Sequence, residues 1–156
     1  MLKSVLGPLG EKHKGYGAIV DMMPKGIENS QARIIALEGL CDEEVYQEEI
    51  NHARAKLNKI EMNGVNISRA NLNKAQLVNA ELYYTNLNNI NLSEVDCTGV
   101  TLYRSTMSFA ILSKANCSSA SFCKANMMFA DFSHGNFSGT NLKGANVIIE
   151  NLEKAS

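Results

Sequence analysis

The chain has 156 residues, 45% of them hydrophobic and 20% charged, with a formal net charge of −1. That length holds one domain with a short annex. A near-neutral balance excludes the strongly basic surface of a nucleic-acid binder, and no apolar run approaches the ~18–20 residues of a membrane span.

Residues 1–29 hold Gly7, Gly10, Gly15, Gly17 and Gly26 and both prolines, Pro8 and Pro24. They read as a flexible Gly-rich lead-in, with a short strand in the run Tyr16 to Met23. Gly15-Tyr16-Gly17 has the start of a phosphate loop, but no Gly-Lys-Ser/Thr comes after it. The start MLKSVLGPLGEKHKG has no apolar core long enough for a secretory signal. The four cysteines form no paired framework, so free thiols and a cytoplasmic setting are expected, or export without a cleaved signal.

Residues 30–60 are expected to form a helical cap. A short helix is capped by Asn29 or Ser30, carries Ile34, Ile35 and Leu37, and ends at Gly39. A stronger one starts at Asp42, with Glu43 and Glu44 suiting its positive end. Tyr46, Ile50, Ala53, Leu57 and Ile60 make its one-sided stripe, and Arg54, Lys56 and Lys59 gather at its C-terminal end. Such a helix would cover the open first rung of a solenoid.

The stretch from Gly64 to Ser156 counts in fives. From Ile67, through Leu72, Leu77 and Leu82, to Leu152, every fifth residue is apolar without a break. Two places earlier runs a second, mostly small series, from Val65, Ala70 and Ala75 to Ala145, broken by Glu150. The residue between is mostly Asn, as in RANLN (69–73) and GTNLK (139–143). A helix repeats its faces every 3.6 residues and a strand every 2. A period of five requires a chain that turns a corner at each unit, so that every unit is one wall of a solid-cored tube.

These units resemble the pentapeptide-repeat family, with its A-(D/N)-L-x-x pattern. The resemblance implies an all-β solenoid, a right-handed quadrilateral β-helix with four units per square coil, occupying 61–156 behind the cap. On that analogy the repeats make about 4.5 coils, stacked about 4.8 Å apart in a rod of roughly 20 Å. Residues twenty apart then stack in columns. Cys97 and Cys117 point inward on adjacent coils of one wall, where parallel Cβ vectors make poor disulfide geometry. Ile90, Val95 and Val100 crowd the usually small series, and small Cys97 compensates.

A filled tube offers no cleft for convergent titratable groups. His13, His52 and His134 are scattered, and no Cys or His spacing matches a metal site. The chain is expected to be no enzyme and to need no cofactor or metal. Function should therefore lie on the outer walls. Phe109, Ile111, Met128, Phe129, Ile148 and Ile149 map to one apolar patch, and such patches mark interfaces. A second column contains Tyr83, Tyr103, Cys123 and Lys143 beside Tyr84 and Arg104, and Tyr and Arg are enriched in binding hot spots.

The family resemblance admits an end-to-end homodimer through the C-terminal coil, for which Ile148, Ile149 and Leu152 are suited. The leading expectation is a non-catalytic protein–protein interaction module or scaffold, in a bacterial setting an effector. The alternative is a DNA mimic, since the quinolone-resistance proteins of this family imitate B-form DNA and bind type II topoisomerases such as DNA gyrase. A mimic needs acidic columns in place of phosphates, whereas the columns here are Asn-rich, with Lys74, Lys114 and Lys154 along one corner.

Overall fold

The computed structural model describes residues 53–148 together with Leu152 and Ala155. The expected lead-in over 1–29, the cap over 30–52, His13, His52 and the surface residue Ile149 lie outside the described residues.

One backbone gesture, repeated, builds the structure. Every fifth residue from Arg54 to Gly144 has a left-handed φ, between 54° at Arg104 and 75° at Gly64. Most are the third residue of a β-turn closed by the apolar centre before it: Leu72 O accepts from the Ala75 amide at 3.0 Å and Phe122 O from the Ala125 amide at 2.9 Å. Between turns the chain is extended for three residues. The middle one forms a parallel bridge with the residue twenty places on, from Lys56↔Gln76 to Asn126↔Asn146. Four turns and a return after twenty residues make a four-sided coil. The bridge Asn86↔Thr106 sets Leu87 and Met107 one above the other, with the Leu87 amide donating to Thr106 O at 2.7 Å.

Where the middle residue of a unit is Asn, it is usually a corner brace. Its side-chain oxygen accepts from the amide two residues on, as Asn91 does from Ser93 at 3.0 Å and Asn141 does from Lys143 at 3.0 Å. This is the Asx-turn, which Asn and Asp form because their short side chains reach their own backbone. Asp96 and Asp131 do the same, the latter from Ser133 at 2.9 Å. Asn58, Asn63 and Asn88 brace the next coil instead, accepting from the amides of Val78, Tyr83 and Ser108. These bonds help to offset the roughly 1–2 kcal/mol that a left-handed conformation costs an L-residue.

Both inward series are buried, from Ala55 and Leu57 to Ala130 and Phe132. The crowded Ile90, Val95 and Val100 are fully enclosed. Two buried hydroxyls are satisfied within the wall: Thr85 donates to Met62 O at 2.7 Å and Ser105 to Leu102 O at 2.8 Å.

Two expectations are corrected. Residues 53–60 are not the end of a helix but part of the tower: Ala55, Leu57 and Ile60 are at 0% exposure, and Lys56 bridges Gln76. Ala53, Leu57 and Ile60 fit a helical stripe, but Ala55-Leu57 and Ile60-Met62 also continue the paired series of fives backward, and stacking on the next coil decides between them. Cys97 and Cys117 are not free thiols; they are joined by a disulfide. Their Cα atoms lie 4.7 Å apart, which is both the inter-strand spacing and within disulfide reach. Of the described cysteines, Cys123 remains free.

Gly135 shows how volume is traded within the wall. A Cβ there would collide with the Phe137 ring and lie 3.1 Å from Ala115 O. The Phe137 ring occupies that space and meets Phe132 edge-on, with centroids 5.3 Å apart. Gly135→Val should therefore cost about 1–3 kcal/mol in urea unfolding, the range for an overpacked core. Gly139→Asn, at a left-handed corner where nothing lies closer than 3.7 Å, should cost less than about 1 kcal/mol. Equal losses would show that the ring does not fill the space.

Candidate protein-interaction surface

The outward side of a corner is exposed by geometry, so an apolar residue there is not explained by the core. The exposed large hydrophobic side chains among the described residues are Tyr84, Phe109, Ile111 and Phe129. Phe109 and Phe129 occupy left-handed corner positions, with φ of 60° and 61°, where a bulky residue is uncommon and Gly or Asn is favoured. They stand one above the other, 56% and 55% exposed. Their rings stack with centroids 5.0 Å apart and planes 15° from parallel. The Phe109 amide is held in the wall by Met128 O at 3.0 Å.

Ile111 occupies the brace position of its unit, where every other described unit carries a polar residue. Its side chain cannot make the Asx bond, and it stands 41% exposed between Asn91 and Asp131, its two bridge partners. Met128 and Ile148 are half-buried beside the phenylalanine corner. The structure thus brings Phe109, Ile111, Met128 and Phe129 together on one corner and the side next to it, with Ile148 a coil above Met128.

The described tyrosines gather on a neighbouring corner. Tyr84, 58% exposed, meets Tyr103 edge-on at 5.8 Å. The Arg104 guanidinium lies 6.0 Å from the Tyr84 centroid and 5.4 Å from that of Tyr103, within the range of cation–π attraction. Tyr83 is half-buried beside them. Lys124, absent from the residues singled out by sequence, completes the cluster, with Nζ 5.7 Å from the Tyr103 centroid. The column rule contained it, since Lys124 lies twenty residues beyond Arg104. An exposed ion pair, Lys74–Glu94 at 3.4 Å, stands on the corner next along the chain from the phenylalanine one, and a surface pair of this kind stabilises little.

Among the described residues no group of three or more His, Cys, Asp or Glu could hold a metal ion, and no helix is long and apolar enough to cross a membrane. His134 occupies an exposed corner position.

Comparison with known proteins agrees with the repeat seen in the structure. The family described as Pentapeptide repeats matches in 8 copies, over residues 53–82, 70–108, 80–116 and 110–147. Among curated proteins none matches the sequence. One similar solved structure is the pentapeptide repeat protein Rfr23 of the cyanobacterium Cyanothece, at 25% identity and a TM-score of 0.31, covering 61% of this chain and 62% of that one. Another is alr5209, a pentapeptide repeat protein of Nostoc, at 24% identity and a TM-score of 0.41, covering 75% and 74%. A third is a trypsin-treated form of QnrB1, a plasmid-mediated fluoroquinolone resistance protein, at 18% identity and a TM-score of 0.44, covering 61% and 58%. The chain therefore spans less than two thirds of Rfr23 and of this QnrB1 form. With a left-handed corner every fifth residue and family matches running from 53 to 147, the chain belongs to the pentapeptide-repeat family, whose fold is the right-handed quadrilateral β-helix.

Proposed function

We propose that the protein is a non-catalytic interaction module, a rigid rod that holds side chains at fixed spacing for a protein partner. The observation that carries this reading is the stacked Phe109–Phe129 pair, more than half exposed at corners where the backbone conformation favours small or polar residues. The left-handed corner itself belongs to the repeat and carries Arg, Lys or Tyr at other levels, so what points to a partner is the exposed apolar character of the pair, which Ile111 and Met128 extend into a contiguous apolar surface. A scaffold role or that of an exported effector is compatible with this surface. The Cys97–Cys117 disulfide favours the exported setting, since such bonds persist in oxidising compartments. End-to-end pairing through the C-terminal coil remains part of the proposal, and its suggested contacts include Ile149, outside the described residues.

The test is affinity capture with the full chain and with Phe109→Ser/Phe129→Ser. Both rings are exposed, so the double variant should unfold within about 1 kcal/mol of the parent. It should nevertheless lose the proteins that the parent retains. Equal recovery by the two proteins would remove this patch as the binding surface.

A further inference from the structure

The tyrosine corner and the phenylalanine corner bound the same side of the tower. The chain turns at Tyr103-Arg104, runs along the wall as Ser105-Thr106-Met107, and turns again at Ser108-Phe109. The same order recurs one coil below and one above. In the middle of this side the outward residues are Asn66, Asn86, Thr106, Asn126 and Asn146, joined in one ladder by their bridges. All are uncharged. The described residues of the side and its two corners include Arg69, Arg104, Lys124 and Lys143 but no carboxylate. The described carboxylates stand elsewhere: Glu61 and Glu81 in a column of the preceding side, Glu94 on another corner, Asp96 and Asp131 in Asx-turns of other sides.

We infer that the two clusters are the edges of a single docking face, and that its occupant is an acidic amphipathic helix of a partner protein lying along the tower axis. This rests on the interaction-module reading and adds the partner's chemistry to it. The dimensions fit. Three extended residues make a side roughly 10 Å across, about the diameter of one α-helix with its side chains. The phenylalanine centroids are 5.0 Å apart, close to the ~5.4 Å pitch that separates successive turns of a helix, so one apolar residue per turn meets one ring. The charges fit as well. Arg104 and Lys124 are held against tyrosine rings, so they are already ordered at the edge that would meet the carboxylates of the helix. Recognition of an apolar helical stripe by such a surface is a recurring mode. A phosphate backbone would pair with the cations but gain nothing from Phe109, Phe129 and Met128, which favours protein over nucleic acid.

The test uses the full chain and a fluorescein-labelled helical peptide of about five turns, with leucines along one face and glutamates flanking them. One control peptide has lysines for the glutamates, another serines for the leucines, and a labelled single-stranded oligonucleotide forms a further arm. Anisotropy titration should show binding of the acidic amphipathic peptide alone, weakening as salt rises. Arg104→Glu/Lys124→Glu should weaken it about tenfold or more through like-charge repulsion, and Phe109→Ser/Phe129→Ser should weaken it similarly, both variants keeping the parent's circular dichroism. If the phenylalanine variant loses the peptide and the charge-reversed one does not, the acidic occupant is wrong while the module reading stands. If neither variant changes binding, this face is not the docking face under either reading. Failure of the acidic peptide to bind, equal binding of the lysine peptide, or tighter binding of the oligonucleotide overturns the inference.

Discussion

Phe122→Ala should make the protein about 3–5 kcal/mol easier to unfold, the usual cost of removing a buried phenylalanine. Phe122 is completely enclosed, and its ring lies 6.2 Å from that of Phe137 in the next coil. The upper part of the range applies because the walls cannot close on the gap. Coil height is set by the backbone ladder, in which the Phe122 amide donates to Asn141 O at 2.9 Å and Ser121 bridges both Thr101 and Asn141. A fixed ladder preserves the cavity, and residual cavity volume carries the extra cost of truncation. Phe109→Ala removes the same atoms from an exposed corner and should cost less than about 1 kcal/mol. Urea unfolding of the two variants separates core from surface. A loss at Phe122 below that at Phe109 would mean that the inward and outward registers have been exchanged.

The register was legible in the sequence because a period of five has few structural solutions. Once every fifth residue must point inward, residues twenty apart share a column, and the stacking of Phe109 on Phe129 is a matter of arithmetic. The start of the tower was obscured for the opposite reason. Leu57 and Ile60 satisfy a helical stripe and a pentapeptide pair equally well, and three basic residues imitate a helix C-terminus. Arg54 and Lys59 are instead left-handed corner residues, and Lys56 is a bridge residue. What distinguishes the two is a partner coil, Gln76 above Lys56 and Glu81 above Glu61, and local spacing carries no information about partners.

The candidate surface was legible to the same depth. Columns identify which residues neighbour one another, but not how their side chains lean. The edge-on meeting of Tyr84 with Tyr103 and the place of Lys124 over the Tyr103 ring depend on side-chain direction. The Asn-rich columns had a meaning that composition hides. They read as a polar outer surface, yet most of their side-chain oxygens are committed to the corners. The surface left for partners is therefore smaller than the polar count suggests, and Ile111, which gives up the brace, is conspicuous within it.

Removing the Cys97–Cys117 bond should lower stability by about 3 kcal/mol, the loop-closure value for a cross-link spanning roughly twenty residues. The two cysteines lie in the interior of one wall, at 3% and 0% exposure, and the bond ties together adjacent coils at the centre of the described tower. Its position matters because a solenoid is stabilised by nearest-neighbour contacts and can open from either end. A central cross-link joins the coils that such fraying reaches last, so their amides should show the slowest hydrogen exchange. Urea unfolding with reductant should fall below unfolding without it, and Cys97→Ala/Cys117→Ala should be insensitive to reductant. Alkylation without reductant should label Cys123 and spare Cys97 and Cys117. Identical melts of the parent chain in both conditions, or labelling of either core cysteine in the folded protein, would show that the two thiols are stacked but not bonded, and would return the interior of that wall to packing alone.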